Sequence, residues 1–365
     1  MRRSLFLLLI SAFSTFTFGQ SSNVQQPKLT HQTSGTTQLL IAVSPVNSQV
    51  VWAAGTGGTY VVTTDGGNTW KSGVVPGADQ LQFRDVQGVS ANVAYLMSIG
   101  NNTTDFRIYK TSDGGATWNM QFQNQTTSAF YDCFAFWVPN RGVAHSDSVN
   151  GVFPDIRTSN GQKWNSISAN MPPALTGEAS FSSSGTCITT QGDSNAWITT
   201  GGATTSRILA TTDSGNTWNA YDTPLISNAS AGGLSVAFRD ATHGIVGGGD
   251  LSVNYRIQAA TSSDGGQTWT LTKKPPIGGT IFCLAYANGM TLNSGATVDH
   301  SYDRTVVITA EAAPDFTSGS AAWTPDEGQT WYRLSGASGY WAVAFADPHN
   351  GWFVGNNGQI LKISF

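Results

Sequence analysis

Thr63-Thr-Asp65-Gly-Gly-Asn-Thr-Trp70 decides the reading of this chain, because it returns four more times. Thr111-Ser-Asp113-Gly-Gly-Ala-Thr-Trp118, Thr211-Thr-Asp213-Ser-Gly-Asn-Thr-Trp218, Ser262-Ser-Asp264-Gly-Gly-Gln-Thr-Trp269 and Thr324-Pro-Asp326-Glu-Gly-Gln-Thr-Trp331 repeat its spacing. Thr158-Ser-Asn160-Gly-Gln-Lys-Trp164 is a copy one residue shorter, with Asn in place of Asp. An aspartate that bonds backbone N–H groups just downstream, followed by glycines that supply positive φ, makes a tight turn. The tryptophan then opens a strand and brings a large apolar surface to it. Asp65, Asp113, Asp213, Asp264 and Asp326, with Trp70, Trp118, Trp218, Trp269 and Trp331, are therefore read as structural.

From Asp65 the central position advances by 48, 47, 53, 51 and 62 residues. A period near 50 with several short strands per unit predicts propeller blades. A second element supplies inner hairpins: Ala135-Phe-Trp-Val-Pro-Asn-Arg-Gly142, Ala237-Phe-Arg-Asp-Ala-Thr-His-Gly244 and Ala344-Phe-Ala-Asp-Pro-His-Asn-Gly351 share one spacing. With the strands of a blade named a to d, this is the a–b hairpin and the octapeptide is the c–d turn. The last unit holds strands a to c and stops. Bare strand edges invite aggregation, so Lys28 to Thr37 is expected to supply the missing strand. The fold class is all-β: a seven-bladed β-propeller over residues 20–365, its last blade completed by an N-terminal strand.

Composition agrees. Only 11% of residues are charged and 41 are glycine, which suits short strands and tight turns rather than helical bundles. Arg2 and Arg3 ahead of the apolar run Leu5 to Ile10 predict a secretory signal peptide over residues 1–19, hence an exported, periplasmic or extracellular protein without a membrane span in its mature form. Its removal moves the formal charge from −4 to −6, which does not suit a nucleic acid partner. Three cysteines are too few and too odd for a disulfide framework, so Cys133 and Cys283, in apolar runs, are expected to be buried thiols. Nothing in their spacing makes a zinc site, and no nucleotide or haem motif implies a cofactor.

Function is expected on the face of the b–c and d–a loops, whose lengths vary, rather than on the face of regular turns. The b–c loops lengthen in blade three (Ser146 to Ile156), blade five (Gly248 to Tyr255) and blade six (near Val298 to Arg304). Tyr131, Asp132, Asp147 and Glu178 are the catalytic candidates there. Arg107, Arg207, Arg256 and Arg304, each expected ahead of a strand c, and Asp250 are the binding candidates, beside Asp299 and His300. Glu178 and Arg207 rank first because Glu and Arg are scarce. Arg84, Asp85, Arg239, Asp240 and His243 are assigned to a–b turns on the opposite face.

The octapeptide resembles the Asp-box, or BNR repeat, S-x-D-x-G-x-T-W. Hairpins such as Pro348-His-Asn-Gly-Trp-Phe-Val-Gly355 resemble those of the photosystem II stability/assembly factor family and its exported bacterial relatives. That resemblance implies a binding or assembly role with an arginine-rich patch, for which Arg107, Arg207, Arg256 and Arg304 are the available positions. Asp-box propellers also include glycosidases, which implies a second reading: carboxylates about 5–10 Å apart in a central funnel. Phe106-Arg-Ile-Tyr109 lacks the proline of the sialidase motif, so the glycosidase would be of another kind. The partner is thus a protein or a carbohydrate-like ligand.

Overall fold

The computed structural model describes residues 26–288, 300–312, 316 and 318–365; the expected signal peptide and Asp299 lie outside them. Seven four-stranded antiparallel sheets succeed one another along the chain, six in the order a-b-c-d. The seventh takes its outer strand from the N-terminus: Lys28–Thr33 pairs with Gln359–Ser364, from Lys28 opposite Ser364 to Thr33 opposite Gln359. The protein is a seven-bladed β-propeller closed by its own beginning. The closing strand also reaches the first blade, where Gln32 Nε2 donates to Gly66 O (3.3 Å) and Trp70 Nε1 donates to Gln32 Oε1 (3.1 Å).

The octapeptides form the c–d turns as their chemistry requires. In the first, Thr69 N–H donates to Asp65 Oδ1 (2.9 Å), Thr69 Oγ1 to Asp65 Oδ2 (2.6 Å), and Gly67 N–H to Thr63 Oγ1 (2.9 Å). The Thr69 hydroxyl, with the backbone bond and Thr63, holds the Asp65 carboxyl at about 2; Thr117 does the same for Asp113. Gly67 sits at φ +86°, where a side chain would be strained. The tryptophans fill the faces between blades: Trp118 stands edge-on to Trp52 and Tyr60, and Trp269 to Phe238.

A feature of the inner strands was not read from the sequence. Six of the seven strands a carry a β-bulge at the same level, with Ile41, Arg84, Asp132, Leu234, Phe282 or Trp341 as the extra residue. A bulge leaves backbone groups off the ladder. In four of the six, the N–H two residues past the bulge is taken up by the preceding blade. Phe134 N–H donates to Asp85 Oδ2 (2.8 Å), Val236 N–H to Thr186 O (2.9 Å), Leu284 N–H to Ser235 Oγ (2.9 Å) and Val343 N–H to Cys283 Sγ (3.4 Å). Between blades three and four the stitch is covalent: Cys133 is bonded to Cys187, with Cα atoms 6.0 Å apart.

That bond corrects the expectation of a free Cys133; an odd count disguised one pair plus a thiol. Cys283 is free and buried, as expected. Arg84 and Asp85 are also misplaced by the sequence reading. They lie inside strand a of blade two (Gln82–Gly88), because the bulge breaks the two-residue alternation that marks a strand. In blade six, strands a and b are Thr280–Tyr286 and Val306–Glu311. The long segment before Val306 is therefore the a–b connection, and the b–c loop lies between Glu311 and Ser320.

Replacing Cys133 and Cys187 by Ala, which opens a loop of sequence separation 54, is expected to lower stability by about 4 kcal/mol on the loop-entropy relation. Urea unfolding with and without reductant measures this. The parent denatured without reductant should titrate a single thiol, that of Cys283.

Candidate functional site on the loop face

Inward from the loop face, the bulge residues meet at the axis. Arg84 places its guanidinium 5.6 Å from the centre of the Trp341 ring, and Trp341 stands edge-on to Phe282 at 5.1 Å. Ile41 and Leu234 are fully buried. Blade four contributes differently: its strand a is short (Ile188–Gln191), and the serine-rich segment before it crosses the axis. Ser182 O accepts from Arg84 Nη1 (3.0 Å), while Ser183 Oγ and Ser184 Oγ donate to Phe282 O (2.9 and 2.6 Å). The centre of the ring at this level is packed with side chains and this crossing segment. It is not an open funnel.

The catalytic candidates are drawn into this packing. Asp132 is buried, and the Asp147 carboxyl lies near enough to act on it. Burial, and then the Asp147 charge, push Asp132 well above the usual carboxylate range. Asp147, also raised by burial, takes Ser180 N–H on Oδ1 (2.9 Å). Arg84 is pulled down to about 10 by burial, against the Asp132 charge. Tyr131 is buried, donates to Pro154 O (2.8 Å), and is raised by burial and then by Asp155.

Glu178 and Arg207 occupy each other. Arg207 Nε donates to Glu178 Oε1 (2.9 Å) and Arg207 Nη2 to Oε2, while Thr200 Oγ1 (2.7 Å) and Leu175 N–H (2.8 Å) complete the carboxylate's bonds. The Glu178 side chain is wholly buried. This fork–fork pair ties the loop entering blade four to its strand c. Asp250 is similarly engaged: Ser252, Ser230 and Asn228 donate to it and, outweighing burial, hold it at about 2.

The four arginines do not form a patch. Arg107 donates within blade two, to Thr104 O (2.7 Å) and Tyr109 Oη (3.1 Å). Arg304 corrects its assignment: preceding strand b rather than strand c, it lies on the turn face, where Arg304 Nε donates to Glu327 Oε2 (3.0 Å) and Arg239 Nε to Oε1 (2.8 Å). His300, paired with Asp303, belongs to the same a–b connection. Arg239, Asp240 and His243 do occupy the a–b turn of blade five, between its strands Ala231–Phe238 and Gly244–Asp250.

Arg256 alone among the four is exposed on the loop face with no ion pair among the described residues. It lines a cleft of about 450 Å³ at the rim of blade five, with Tyr255, Leu271, Lys273 and Lys274. Tyr255 is 64% exposed and Leu271 46%. No carboxylate lines the cleft, so three cations and two bared apolar side chains share one concavity. Tyr255, Lys273 and Lys274 escaped the sequence reading. The signal present was the chain's one Lys-Lys dipeptide, four residues after a repeat tryptophan, where blades one, two, four and six continue a strand.

Asp132 and Asp85 keep protons in the folded state that the unfolded chain gives up above the ordinary value of 3.8. Their contribution to stability is full below that value and is lost as pH rises. Asp132→Asn is therefore expected to flatten the fall of the unfolding free energy as pH rises above about 4, by up to about 1.4 kcal/mol per pH unit, read by urea denaturation; a steeper fall would contradict the raised Asp132 carboxyl. Glu178→Gln should cost about 3 kcal/mol by leaving Arg207 without its partner charge, read by the same denaturation.

No protein-family model and no curated protein matches the chain. Solved structures do. A structure described as YCF48 bound to D1 peptide superposes with a TM-score of 0.62 at 16% identity, covering 93% of this chain and 97% of that one. YCF48 from Cyanidioschyzon merolae gives 0.62 at 16% identity over 92% and 98%. The GH74 xyloglucanase from Xanthomonas campestris gives 0.59 at 15% identity, over 91% of this chain but 53% of the enzyme. Along nearly its whole length, this chain has the seven-bladed propeller fold that YCF48 also has, in keeping with the assembly-factor resemblance of its repeats.

Proposed function

We propose that this protein is an exported binding propeller, an assembly-factor-like protein that holds a segment of a partner protein on its loop face, centred on the blade-five cleft. The observation that carries the reading is the cleft itself: Tyr255 and Leu271 stand bared beside Arg256, Lys273 and Lys274, while Asp132, Asp147, Glu178 and Asp250 are engaged within the protein. Exposed aromatic and apolar side chains ringed by charge are the usual marks of an interaction surface. That a propeller of the same fold is described with a bound peptide supports a protein partner. Export rests on the charged and apolar N-terminal segment of the sequence.

The test compares the mature protein with a Lys273→Glu/Lys274→Glu variant. Chemical cross-linking in its native compartment, followed by mass spectrometry, should give cross-links from the parent to a discrete protein partner through the blade-five rim; the variant should lose them at unchanged thermal stability. A panel of plant and bacterial polysaccharides should remain intact. Hydrolysis by the parent that Asp147→Asn abolishes would replace the binding role with an enzymatic one.

A further inference from the structure

We infer that the blade-five cleft recognises an acidic segment of the partner by side chains alone: its carboxylates meet Arg256, Lys273 and Lys274, and an aliphatic side chain between them meets Tyr255 and Leu271. This rests on the binding role proposed above and names the chemistry of the segment that fills the cleft.

Blade five has a curtailed outer strand. It is Thr270–Leu271, two residues, where the other blades have outer strands of three to seven. The backbone beside it is nevertheless closed. Thr272 N–H donates to Ala259 O (2.9 Å) and the Lys274 ammonium to Tyr255 O (2.8 Å), while Ile257 and Ala259 are 1% and 2% exposed. The short strand therefore bares side chains rather than a strand edge. Tyr255 and Leu271 are exposed, and so are Arg256, Lys273 and Lys274 beside them.

The cationic wall is held in place by the fold. Lys274, through its bond to Tyr255 O, ties the segment after the outer strand to the b–c loop. Lys273 N–H donates to Gly328 O of blade six (3.0 Å), and Lys273 O accepts from Thr272 Oγ1 (2.8 Å). Pro275 and Pro276 follow directly. A proline confines the residue before it to extended backbone, so Lys274 has little backbone freedom left to lose. A surface ordered in advance gives up less entropy when a partner docks on it.

Charge selects the occupant. No carboxylate lines the cleft, and among the described residues no ion pair engages Arg256, Lys273 or Lys274. On a chain of net charge −4 this is a local reversal of sign, which draws an acidic segment in and repels a basic one. An exposed ion pair is worth a factor of about two to five in affinity, so the three cations together supply roughly tenfold or more. Tyr255, Leu271 and the half-buried Ile226 add apolar contact. Leu271 and Ile226 favour a peptide over an anionic polysaccharide, because a peptide carries aliphatic side chains between its carboxylates.

Fluorescence anisotropy on the full mature protein tests this with labelled Asp-Glu-Leu-Asp-Glu, its uncharged counterpart Asn-Gln-Leu-Asn-Gln, and Lys-Lys-Leu-Lys-Lys; polygalacturonate is titrated separately by calorimetry. The acidic peptide should bind saturably, more weakly as salt rises from about 50 to about 500 mM. Roughly tenfold weaker binding is expected for the uncharged peptide, and for the acidic one on Arg256→Gln/Lys273→Gln/Lys274→Gln at unchanged thermal stability. Lys273→Glu/Lys274→Glu should reverse the preference toward the basic peptide, which mere damage to the cleft would not do. Equal affinity for the charged and uncharged peptides overturns recognition by charge. Unchanged binding by Tyr255→Ser/Leu271→Ser overturns the apolar contact. If the acidic peptide fails to bind, the acidic occupant is overturned, and binding of polygalacturonate in its stead assigns the cleft to a carbohydrate. Through any of these failures, cross-links of the parent to its natural partner, if retained, leave the proposed binding role standing, and their absence sinks that role separately.

Discussion

The hydrogen bond that runs from an N–H just past the inner bulge to the blade before it, present in blades three, five, six and seven, is the constraint on which the rest of this ring depends. A bulge near the axis frees a backbone donor in a place water barely reaches, where an unmet N–H costs about 1–3 kcal/mol. The preceding blade meets it with Asp85, Ser235 or Cys283, or with the carbonyl of Thr186. The inner strands of blades three, five, six and seven are thereby held in register with their neighbours at one level. The disulfide from Cys133 to Cys187 occupies the same level, between blades three and four.

Once the bulges are set, the extra residues point together. Arg84 and Trp341 meet as cation and ring, and Asp132 enters a carboxyl pair with Asp147. Blade four yields its place to Ser182, Ser183 and Ser184, which bond to blades two and six. Polar groups that would serve as acids or ligands in an open funnel are here buried among the residues of neighbouring blades. The exposed chemistry is displaced outward, to the rim where blade five has too short an outer strand to cover its neighbour.

Much of the fold was legible and less of the site. The octapeptide aspartates, read as structural from repeat position, bond within their own turns, and Asp147, Glu178, Arg207 and Arg256 lie at the b–c and d–a loops. Scarcity of Glu and Arg pointed to Glu178 and Arg207, but scarcity does not reveal that two such residues are paired. Arg304 was placed on the wrong face because blade six carries its long insertion between strands a and b, where the repeat had prepared for a short turn. Arg84 was hidden by the bulge. The cleft was hidden by a strand that ends early, which no local pattern of hydrophobic residues announces.

Local chemistry determined by itself that this chain makes turns of one kind about every fifty residues, that each turn feeds a tryptophan into the space between sheets, and that the count closes with the N-terminal strand. These follow from interactions within eight residues and from the cost of an unpaired edge, both readable along a line. Which side chains face each other across the axis, which cysteine finds a partner, and which charges stay unpaired were decided only by the closed ring. Those outcomes depend on distances between residues fifty or more apart, and on where a single bulge residue turns the chain.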